Sequence, residues 1–237
     1  MIMQILHRKT VIVTGSNRGV GLGVAVALSK LDFNLVIASR NLESIVETAN
    51  TIGGTNVYPI QLDITNSLSV SNFFEIIKKI NGRVDSLINN AAIHFEGNAG
   101  FTEISDQLFA DTINTNLLGA WRMCKEVAPF MINQKYGRIL NITSGWSSLA
   151  DMEGNAAAYR ISKTALNALT RVVSSELAPL GDIKVNCACP GWVKTRLGGD
   201  NAPISIHEAA SHLIKLVTLL DDGPNGKFFR HGIELPW

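Results

Sequence analysis

The stretch TVIVTGSNRGVGLGVAVALSK, residues 10–30, joins an apolar, β-branched run to a glycine-rich turn and a helical pattern. The run TVIVT shows no polar alternation, which is typical of a strand covered on both faces of a parallel sheet. The glycines of the turn permit positive φ angles and a close approach of the backbone to a ligand. A helix that begins after such a turn presents free N–H groups and the positive end of its dipole. The stretch therefore predicts a strand–turn–helix unit that binds a phosphate.

The rest of the chain repeats this alternation of short apolar runs and longer helical patterns. Strands are predicted at 10–14, 34–39, 56–62, 85–89, 138–143, 183–188 and 227–229, and helices near 20–30, 42–52, 67–80, 105–134, 156–179 and 205–220. Such an order predicts an α/β fold of Rossmann type, with a doubly wound, parallel, seven-stranded sheet and helices on both faces. No linker or composition break divides residues 1–237, so we expect a single domain that carries every site.

Composition narrows the classes of function. The formal net charge is +1, so nucleic acid and acidic membranes are not expected as partners. No apolar run approaches the ~18–20 residues that span a bilayer, and the start, MIMQILHRKT, shows no signal-peptide pattern. We therefore expect a cytoplasmic protein. Cys124, Cys187 and Cys189 are odd in number and predict small buried residues rather than disulfides. The five histidines show no metal-ligand spacing, so no metal is expected.

The glycine turn and the end of the second strand indicate the ligand. Gly15, Gly19 and Gly21 form a longer loop than the common GxGxxG fingerprint, at a strand end where such folds bind nucleotides. The second strand ends at Arg40, where an NAD-binding protein usually offers Asp or Glu to the ribose hydroxyls. A planar guanidinium there, joined by Arg18, pairs better with a 2′-phosphate. We therefore predict NADP(H) rather than NAD(H).

Further motifs follow in order along the chain. They are TGSNRGVG (14–21), LDIT with Asp63, NNAA (89–92), NTNLLGA with Asn116, NITSG with Ser144, YRISK (159–163) and PGWVKT (190–195). In this order they resemble the short-chain dehydrogenase/reductase family, and the resemblance covers nearly the whole chain. The stretches TSGWSSLADMEG (143–154) and GKFFRHGIELPW (226–237) are most similar to its NADPH-dependent carbonyl-reductase-like members.

The resemblance implies four catalytic residues. Tyr159 would act as acid and base in a reversible hydride transfer between a nicotinamide and a carbonyl or alcohol. Lys163, one helical turn further on the same face, is expected to lower the pKa of Tyr159. By the resemblance it would also bind the nicotinamide ribose. Ser144 would hydrogen-bond the substrate oxygen, and Asn116 would hold a water in a proton relay behind the lysine.

The resemblance also implies the cofactor contacts. Asp63 would accept a hydrogen bond from the adenine, and Asn89 would stabilise the central strand. Val193 and Thr195 would bind the nicotinamide carboxamide. The full predicted set of cofactor-binding residues is Gly15, Ser16, Asn17, Arg18, Gly19, Val20, Gly21, Arg40, Asp63, Ile64, Asn90, Ala91, Tyr159, Lys163, Pro190, Gly191, Val193 and Thr195.

Two departures from the family pattern leave alternatives open. Ala92 in NNAA replaces the usual glycine and adds a methyl group near the cofactor cleft. Ser144 and Tyr159 stand further apart than is commonest in the family. The strand-like GRILNITS favours Ser144 as the substrate serine, with Ser147 and Ser148 as alternatives.

The substrate is expected against the loops at the carboxyl ends of the strands, residues 94–101, 146–153 and 192–206. Their large side chains favour an apolar or aromatic carbonyl compound over a charged sugar. These side chains are His94, Phe95, Phe101, Trp146, Met152, Trp192 and Leu197.

The sequence thus predicts an NADP(H)-dependent oxidoreductase that acts on a small carbonyl or alcohol. A 3-oxoacyl-carrier-protein reductase is the close alternative, although Lys194 and Arg196 offer only a small basic patch near the cleft mouth. A non-catalytic NADP-binding sensor would be expected to lack Tyr159 or Lys163. A sugar-nucleotide epimerase or dehydratase would need a longer C-terminal region.

The helix that carries Tyr159 is apolar on two sides. Ile161 and Val172 belong to one apolar stripe, and Leu166 and Val173 lie on the other side. Because the sheet covers only one side, we expect a homodimer or homotetramer, unless neighbouring helices cover the other.

Overall fold

The computed structural model describes residues 8–237, in which strands and helices alternate. The strands are β1 (Lys9–Thr14), β2 (Phe33–Ser39), β3 (Val57–Gln61), β4 (Ser86–Asn89), β5 (Tyr136–Ile142), β6 (Asp182–Cys189), β7 (Phe228–Arg230) and β8 (Ile233–Leu235). The helices are α1 (Gly19–Ser29), α2 (Leu42–Ile52), α3 (Ser67–Ile80), α4 (Asp106–Ile113), α5 (Gly119–Gln134), α6 (Ala157–Leu177) and α7 (Ile206–Lys215). Among them no helix combines the length and the apolar character needed to cross a bilayer. The expectation for the start of the chain, the lack of a signal peptide, lies outside the described residues.

The strands form one sheet in the order β3-β2-β1-β4-β5-β6-β7-β8. β1 to β7 are parallel, and β8 pairs with β7 in the antiparallel sense. The predicted doubly wound α/β fold is confirmed, but the predicted count of seven strands is wrong, because the sheet has eight. His231 and Gly232 have φ angles of 53° and 79°, as a type I′ turn requires. This turn folds Ile233–Leu235 back onto β7, and so short a strand shows no periodicity in the sequence.

Helices cover both faces of the sheet, which explains why its central strands are apolar without alternation. Ile12, Val36 and Leu87 pack into a core shared with α3 and α5. Val11 and Ile37 pack into a second core shared with α1 and α7. Burial of each such side chain contributes about 1.5–3 kcal/mol. The two cores therefore fix the strand ends from which the functional loops emerge.

Two helix boundaries differ from the predicted ones. The predicted helix at 105–134 is divided into α4 and α5 by a π-helical turn, Asn114–Leu118. The wider turn carries Asn116 inward, where it is buried, and such turns are frequent at functional sites. α7 ends at Lys215 rather than near residue 220. The segment beyond it leads to Gly223 and Pro224, residue types that end helices.

Candidate active site

The carboxyl ends of the parallel strands open into a cleft of about 1390 Å³. The cleft lies where the strand order reverses, between β1 and β4, which is where doubly wound sheets bind ligands. Ser16 and Asn116 are buried beside the cleft. The other predicted site residues line it: Gly15, Asn17, Arg18, Gly19, Val20, Gly21, Arg40, Asp63, Ile64, Asn90, Ala91, Ser144, Tyr159, Lys163, Pro190, Gly191, Val193 and Thr195.

The glycine turn packs directly against the end of β4. Gly15 has a φ of 63°, and a Cβ on it would lie 2.8 Å from the Cα of Ala91. A Cβ on Gly21 would overlap the side-chain nitrogen of Asn90. That nitrogen donates hydrogen bonds to the carbonyl oxygens of Thr14 at 2.9 Å and Gly15 at 3.0 Å. Glycine is therefore required at both positions for the turn to close on β4 and leave the cleft open above it.

The first turn of α1 follows directly from the glycine turn. Its N-cap residue, Arg18, makes no side-chain cap, and no acidic residue lies in the first turn, so the N–H groups suit an anion. Ser16 lies under the turn, where its Oγ accepts a hydrogen bond from the N–H of Ala38 at 2.9 Å. Asn17 donates through Nδ2 to the hydroxyl of Ser44 at 3.0 Å. These two bonds fasten the turn to β2 and α2.

Three arginines line the cleft near the ends of β1 and β2: Arg18, Arg40 and Arg196. We call them the arginine cluster. Burial and the positive charges of Arg196 and Arg40 lower the pKa of Arg18, because the three guanidinium groups repel one another. Throughout residues 8–237 no carboxylate forms an ion pair with any of the three. Such an uncompensated cluster suits a phosphate. Arg196 lies outside the predicted cofactor-binding set.

Asp63 and Thr195 both line the cleft. Oδ1 of Asp63 accepts hydrogen bonds from the N–H and the hydroxyl of Thr65, at 2.9 and 2.7 Å. This turn holds the carboxylate at the cleft wall. The methyl carbon of Thr195 lies 3.6 Å from the position that a Cβ of Gly19 would take. The segment after β6 therefore reaches across the cleft to the glycine turn.

Tyr159, Lys163 and Ser144 meet at the ends of β5 and β6. Nζ of Lys163 donates a hydrogen bond to the carbonyl oxygen of Ile142 at 2.7 Å and lies 5.8 Å from the ring centre of Tyr159. The hydroxyl of Ser144 lies close enough to the phenol of Tyr159 to act on its pKa. Tyr159 is 8% exposed and Lys163 only 2%. The predicted trio is thus brought together on one wall of the cleft.

Burial controls the pKa of both titratable groups. It raises the pKa of Tyr159 to about 12, Cys189 acts in the same direction, and the hydrogen bond with Ser144 opposes it. It also lowers the pKa of Lys163 to about 8, against the influence of Cys189 and Cys187. The expected lowering of the pKa of Tyr159 by Lys163 is therefore wrong, because burial is the largest influence and raises this pKa, and Lys163 is not among the groups that shift it. Tyr159 stays protonated throughout the neutral range.

Buried polar side chains fix α6 against the sheet. Asn89 donates to the side-chain oxygen of Asn141 at 2.9 Å. Asn141 in turn donates to the hydroxyl of Thr170 on α6, also at 2.9 Å. The hydroxyl of Thr143 donates to Asn167 of α6 at 2.8 Å. Because these bonds are shielded from water, they set the position of the helix on which Tyr159 and Lys163 stand.

Of the three candidate serines, the structure brings only Ser144 to the cleft wall. Ser147 is 1% exposed and accepts a hydrogen bond from Asn167 at 2.9 Å, so it ties the loop to α6. Ser148 is 4% exposed. Ser144 is also the only one of the three that influences the pKa of Tyr159, and its position favours it over the two alternatives.

Asn116 lies behind the cleft and spans two elements. Its Oδ1 accepts from the N–H of Ile93 at 2.8 Å, and its Nδ2 donates to the carbonyl oxygen of Ile93 at 2.9 Å. Nδ2 also donates to the hydroxyl of Ser162 on α6 at 3.0 Å. The side chain therefore braces the loop after β4 against the helix of Tyr159. The proton relay assigned to Asn116 stays a prediction.

The substrate side of the cleft contains residues that the sequence does not indicate. Of the predicted loop side chains, His94, Phe95, Trp146, Trp192 and Leu197 line the cleft, whereas Phe101 and Met152 do not. Two further lining residues come from strand ends, namely Cys189 and Arg230. Cys189 is a free thiol, as are Cys124 and Cys187, and all three are buried as predicted.

Glu96 is a further residue that sequence reasoning misses. Its Oε1 accepts a hydrogen bond from the N–H of Tyr159 at 2.6 Å. Glu96 is distant in sequence from α6, so no local capping pattern reveals the contact. A weak signal exists in AAA (156–158), which offers the helix no capping side chain of its own.

Related sequences identify the family. A family model described as short chain dehydrogenase matches residues 9–203. The chain is 33% identical over 192 residues to Oxidoreductase UcpA of Salmonella typhimurium, an alignment that covers 80% of this chain and 71% of that protein. It is 32% identical over 194 residues to the 3-oxoacyl-[acyl-carrier-protein] reductase of Homo sapiens, with 81% and 78% covered.

Solved structures share the fold over nearly the whole chain. Carbonyl reductase Sniffer of D. melanogaster superposes with a TM-score of 0.90 at 28% identity, covering 98% of this chain and 100% of that one. An NADPH-bound carbonyl reductase from chicken fatty liver superposes with a TM-score of 0.87 at 26% identity, covering 98% and 95%. The family model spans most of the chain, and these structures share its fold. The chain therefore belongs to the short-chain dehydrogenase family of oxidoreductases.

Proposed function

We propose that the protein is an NADP(H)-dependent carbonyl reductase or alcohol dehydrogenase, with Tyr159 as its acid and base. One observation carries the proposal: the side chains of Tyr159, Ser144 and Lys163 line the same cleft as the glycine turn and the arginine cluster. In this proposal one domain, residues 1–237, holds both the cofactor and the substrate.

The proposed cofactor fits the residues at the β1 and β2 end of the cleft. The glycine turn and the uncapped first turn of α1 would bind the pyrophosphate. The arginine cluster would bind a 2′-phosphate, since it has no carboxylate partner in the described residues. Asp63 would accept from the adenine amino group, and Thr195 would bind the carboxamide. The NADPH-bound chicken carbonyl reductase, at 26% identity, supports this choice.

The residues on the opposite wall would perform the proton chemistry. When bound, the nicotinamide supplies or accepts the hydride. Ser144 would donate a hydrogen bond to the substrate oxygen and hold it next to the Tyr159 hydroxyl. Tyr159, with its pKa raised to about 12, is protonated and able to donate a proton as the carbonyl becomes an alcohol. The ammonium group of Lys163 would stabilise the phenolate that remains.

A 3-oxoacyl-carrier-protein reductase is the second candidate. The human reductase of that name is 32% identical to this chain, which is the observation that favours it. An acyl-carrier protein is acidic and would need a basic surface at the cleft mouth. Lys194 is exposed there, but Arg196 belongs to the arginine cluster.

A substrate panel tests the proposal. The purified protein is mixed with NADPH or NADH and an aldehyde, a ketone, an oxo acid or a 3-oxoacyl thioester, and the loss of reduced-nicotinamide absorbance is followed. We expect turnover on simple carbonyl compounds with NADPH preferred. Turnover of the thioester alone would favour the acyl reductase. Tight NADPH binding without any turnover would favour a non-catalytic sensor and overturn the proposal.

We also propose that a second copy of the chain covers the exposed apolar side of α6. Ile161 and Val172 on that helix are 45% and 50% exposed. Trp121 on the adjacent α5 is 49% exposed. Large apolar groups on neighbouring helices favour a homodimer or homotetramer.

A further inference from the structure

Arg230 lies across the cleft from the arginine cluster. It ends β7, aligns with Cys189 of β6, and lines the cleft. β4, β5 and β6 separate β7 from β1 in the sheet. Nη2 of Arg230 lies 2.8 Å from the position that a Cβ of residue 145 would take, so Gly145 leaves the space that the guanidinium fills. Because Gly145 directly follows Ser144, the guanidinium lies beside the serine proposed to hold the substrate oxygen.

The guanidinium of Arg230 has no partner in the described part of the chain. Its Nε is buried without a hydrogen bond, and none of the ion pairs in residues 8–237 includes it. The nearby N–H of Gly145 donates to the sulfur of Cys189 at 3.0 Å and offers no acceptor. Buried Arg138, by contrast, is paired with Asp182 at 2.6 Å. An unsatisfied buried donor of a charged group is costly, so this site calls for an acceptor from a ligand.

Other charged groups near this end of the cleft do not neutralise Arg230. Asp151 and Glu153 also line the cleft, and both are exposed. Glu153 lies 3.7 Å from Arg160 as an ion pair. Lys163, the other cation, is engaged with a backbone carbonyl. Arg230 is therefore an uncompensated positive charge next to the proposed position of the reacting carbonyl.

We propose that Arg230 binds a carboxylate of the substrate, so that the protein acts on oxo acids and the corresponding hydroxy acids. The proposal rests on the proposed oxidoreductase function and adds the substrate class to it. A guanidinium holds a carboxylate by two parallel hydrogen bonds, which would fix the adjacent carbonyl against Ser144 and Tyr159. Trp146 and Trp192 are exposed and line the same cleft, which suits an apolar or aromatic remainder.

Phenylglyoxylate and its methyl ester provide the test, because they share the ketone and the ring and differ in the carboxylate charge. The ester is the more reactive ketone, so the acid-to-ester ratio of kcat/KM is compared between variants at saturating NADPH. The ratio should fall on the order of tenfold to a hundredfold in Arg230→Met, which is the effect of losing a hydrogen bond to a charged group. Arg230→Lys keeps the cation without the planar fork and should retain part of the ratio. Lys227→Met removes a half-exposed cation outside the cleft, which pairs with Glu234, and should keep the wild-type ratio.

Three results would overturn the inference. The first is an acid-to-ester ratio that Arg230→Met leaves unchanged. The second is a loss of NADPH affinity in that variant as large as its loss of kcat/KM for phenylglyoxylate, which would make Arg230 a cofactor ligand. The third is a wild-type protein that reduces other aldehydes and ketones but neither phenylglyoxylate nor its ester. Wild-type protein without turnover on any carbonyl compound would instead overturn the proposed function, and this inference with it.

Discussion

The carboxylate of Glu96 accepts a hydrogen bond from the backbone N–H of Tyr159 at 2.6 Å, and this bond joins the loop 94–101 to the first turn of α6. Ala156, the N-cap residue of α6, has a φ of 47° and no side chain that can cap the helix. Glu96 supplies that cap from a distant part of the chain. The ring of His94 contacts the ring of Tyr159 at an interplanar angle of 32°, with 4.6 Å between ring centres. The loop therefore contacts both the backbone and the ring of the proposed acid.

Replacing Glu96 with alanine should destabilise the protein and slow catalysis. Loss of a helix cap costs about 1 kcal/mol, which corresponds to a decrease in Tm of about 2–4 °C for a chain of this size. The proposed acid would also lose its fixed position, so kcat should fall while the NADPH affinity stays near wild type. Glu96→Gln keeps an oxygen acceptor for this N–H, so it should retain most of the wild-type Tm and kcat. Thermal unfolding and steady-state kinetics measure the two effects.

Asn66→Ala is the matched control for this prediction. Asn66 caps α3 through its side chain and does not line the cleft. Its replacement should cost a similar amount of stability and leave kcat at the wild-type value. Wild-type Tm and kcat in Glu96→Ala would show that the contact does not position Tyr159.

Tyr159→Phe should lower kcat by about 10²–10⁴-fold, the usual worth of a positioned general acid. The phenyl ring fills the same space, so NADPH affinity should stay near wild type when measured by cofactor fluorescence. Tyr58→Phe, a tyrosine on β3 outside the cleft, serves as the control and should behave as the wild type. Undiminished turnover by Tyr159→Phe would show that Tyr159 is not the acid of the reaction.

Lys163 should make the stability of the protein depend on pH. Its pKa is lowered from 10.5 to about 8 in the folded protein, so the unfolded chain binds more protons between these values. The free energy of unfolding contributed by this group therefore rises with pH from about 8 to about 10.5. Urea unfolding of wild type and Lys163→Met at several pH values measures the difference. The free energy of unfolding of the wild type should increase relative to that of Lys163→Met as the pH rises. A difference that stays constant with pH would contradict the assignment.

Arg40→Met and Arg196→Met should each weaken NADPH binding while leaving NADH binding nearly unchanged. Each guanidinium of the arginine cluster is partnerless among residues 8–237 and would gain a charge-assisted bond to the 2′-phosphate, worth about tenfold in Kd or more. Lys79→Met removes an exposed cation far from the cleft and should leave both affinities unchanged. Equal losses of affinity for NADPH and NADH would mean that the arginine cluster binds a part of the cofactor common to both.

The fold and the catalytic trio could be predicted because their signals are local. The continuously apolar strands indicate a sheet that is buried on both faces. The spacing of Tyr159 and Lys163 places both side chains on one helix face. The eighth strand cannot be predicted, because Ile233–Leu235 is too short to show a periodic pattern. The raised pKa of Tyr159 cannot be predicted from the sequence, because the spacing places an ammonium group nearby but does not show the burial that raises the pKa.

The other functional contacts depend on tertiary structure. Glu96 in the loop after β4 reaches the N–H of Tyr159 on α6, and Arg230 reaches Gly145 across β6. Neither pair is close in sequence, so no motif relates its members. Arg196 joins Arg18 only because the segment after β6 folds back over the glycine turn. Such contacts depend on the order of the strands in the sheet and on the path of the loops, neither of which the hydrophobic periodicity of the sequence specifies.

Val172→Glu should convert an assembled protein to the monomer. Val172 is 50% exposed on α6, which packs against the helix of the exposed Trp121. A carboxylate buried there against a second copy would be unpaired and costly. Analytical ultracentrifugation over a range of protein concentrations measures the assembly. Val46→Glu makes the same change at a position on α2 that is 38% exposed, so it should leave the assembly intact. A wild type that sediments as a monomer at every concentration would show that no second copy covers this face.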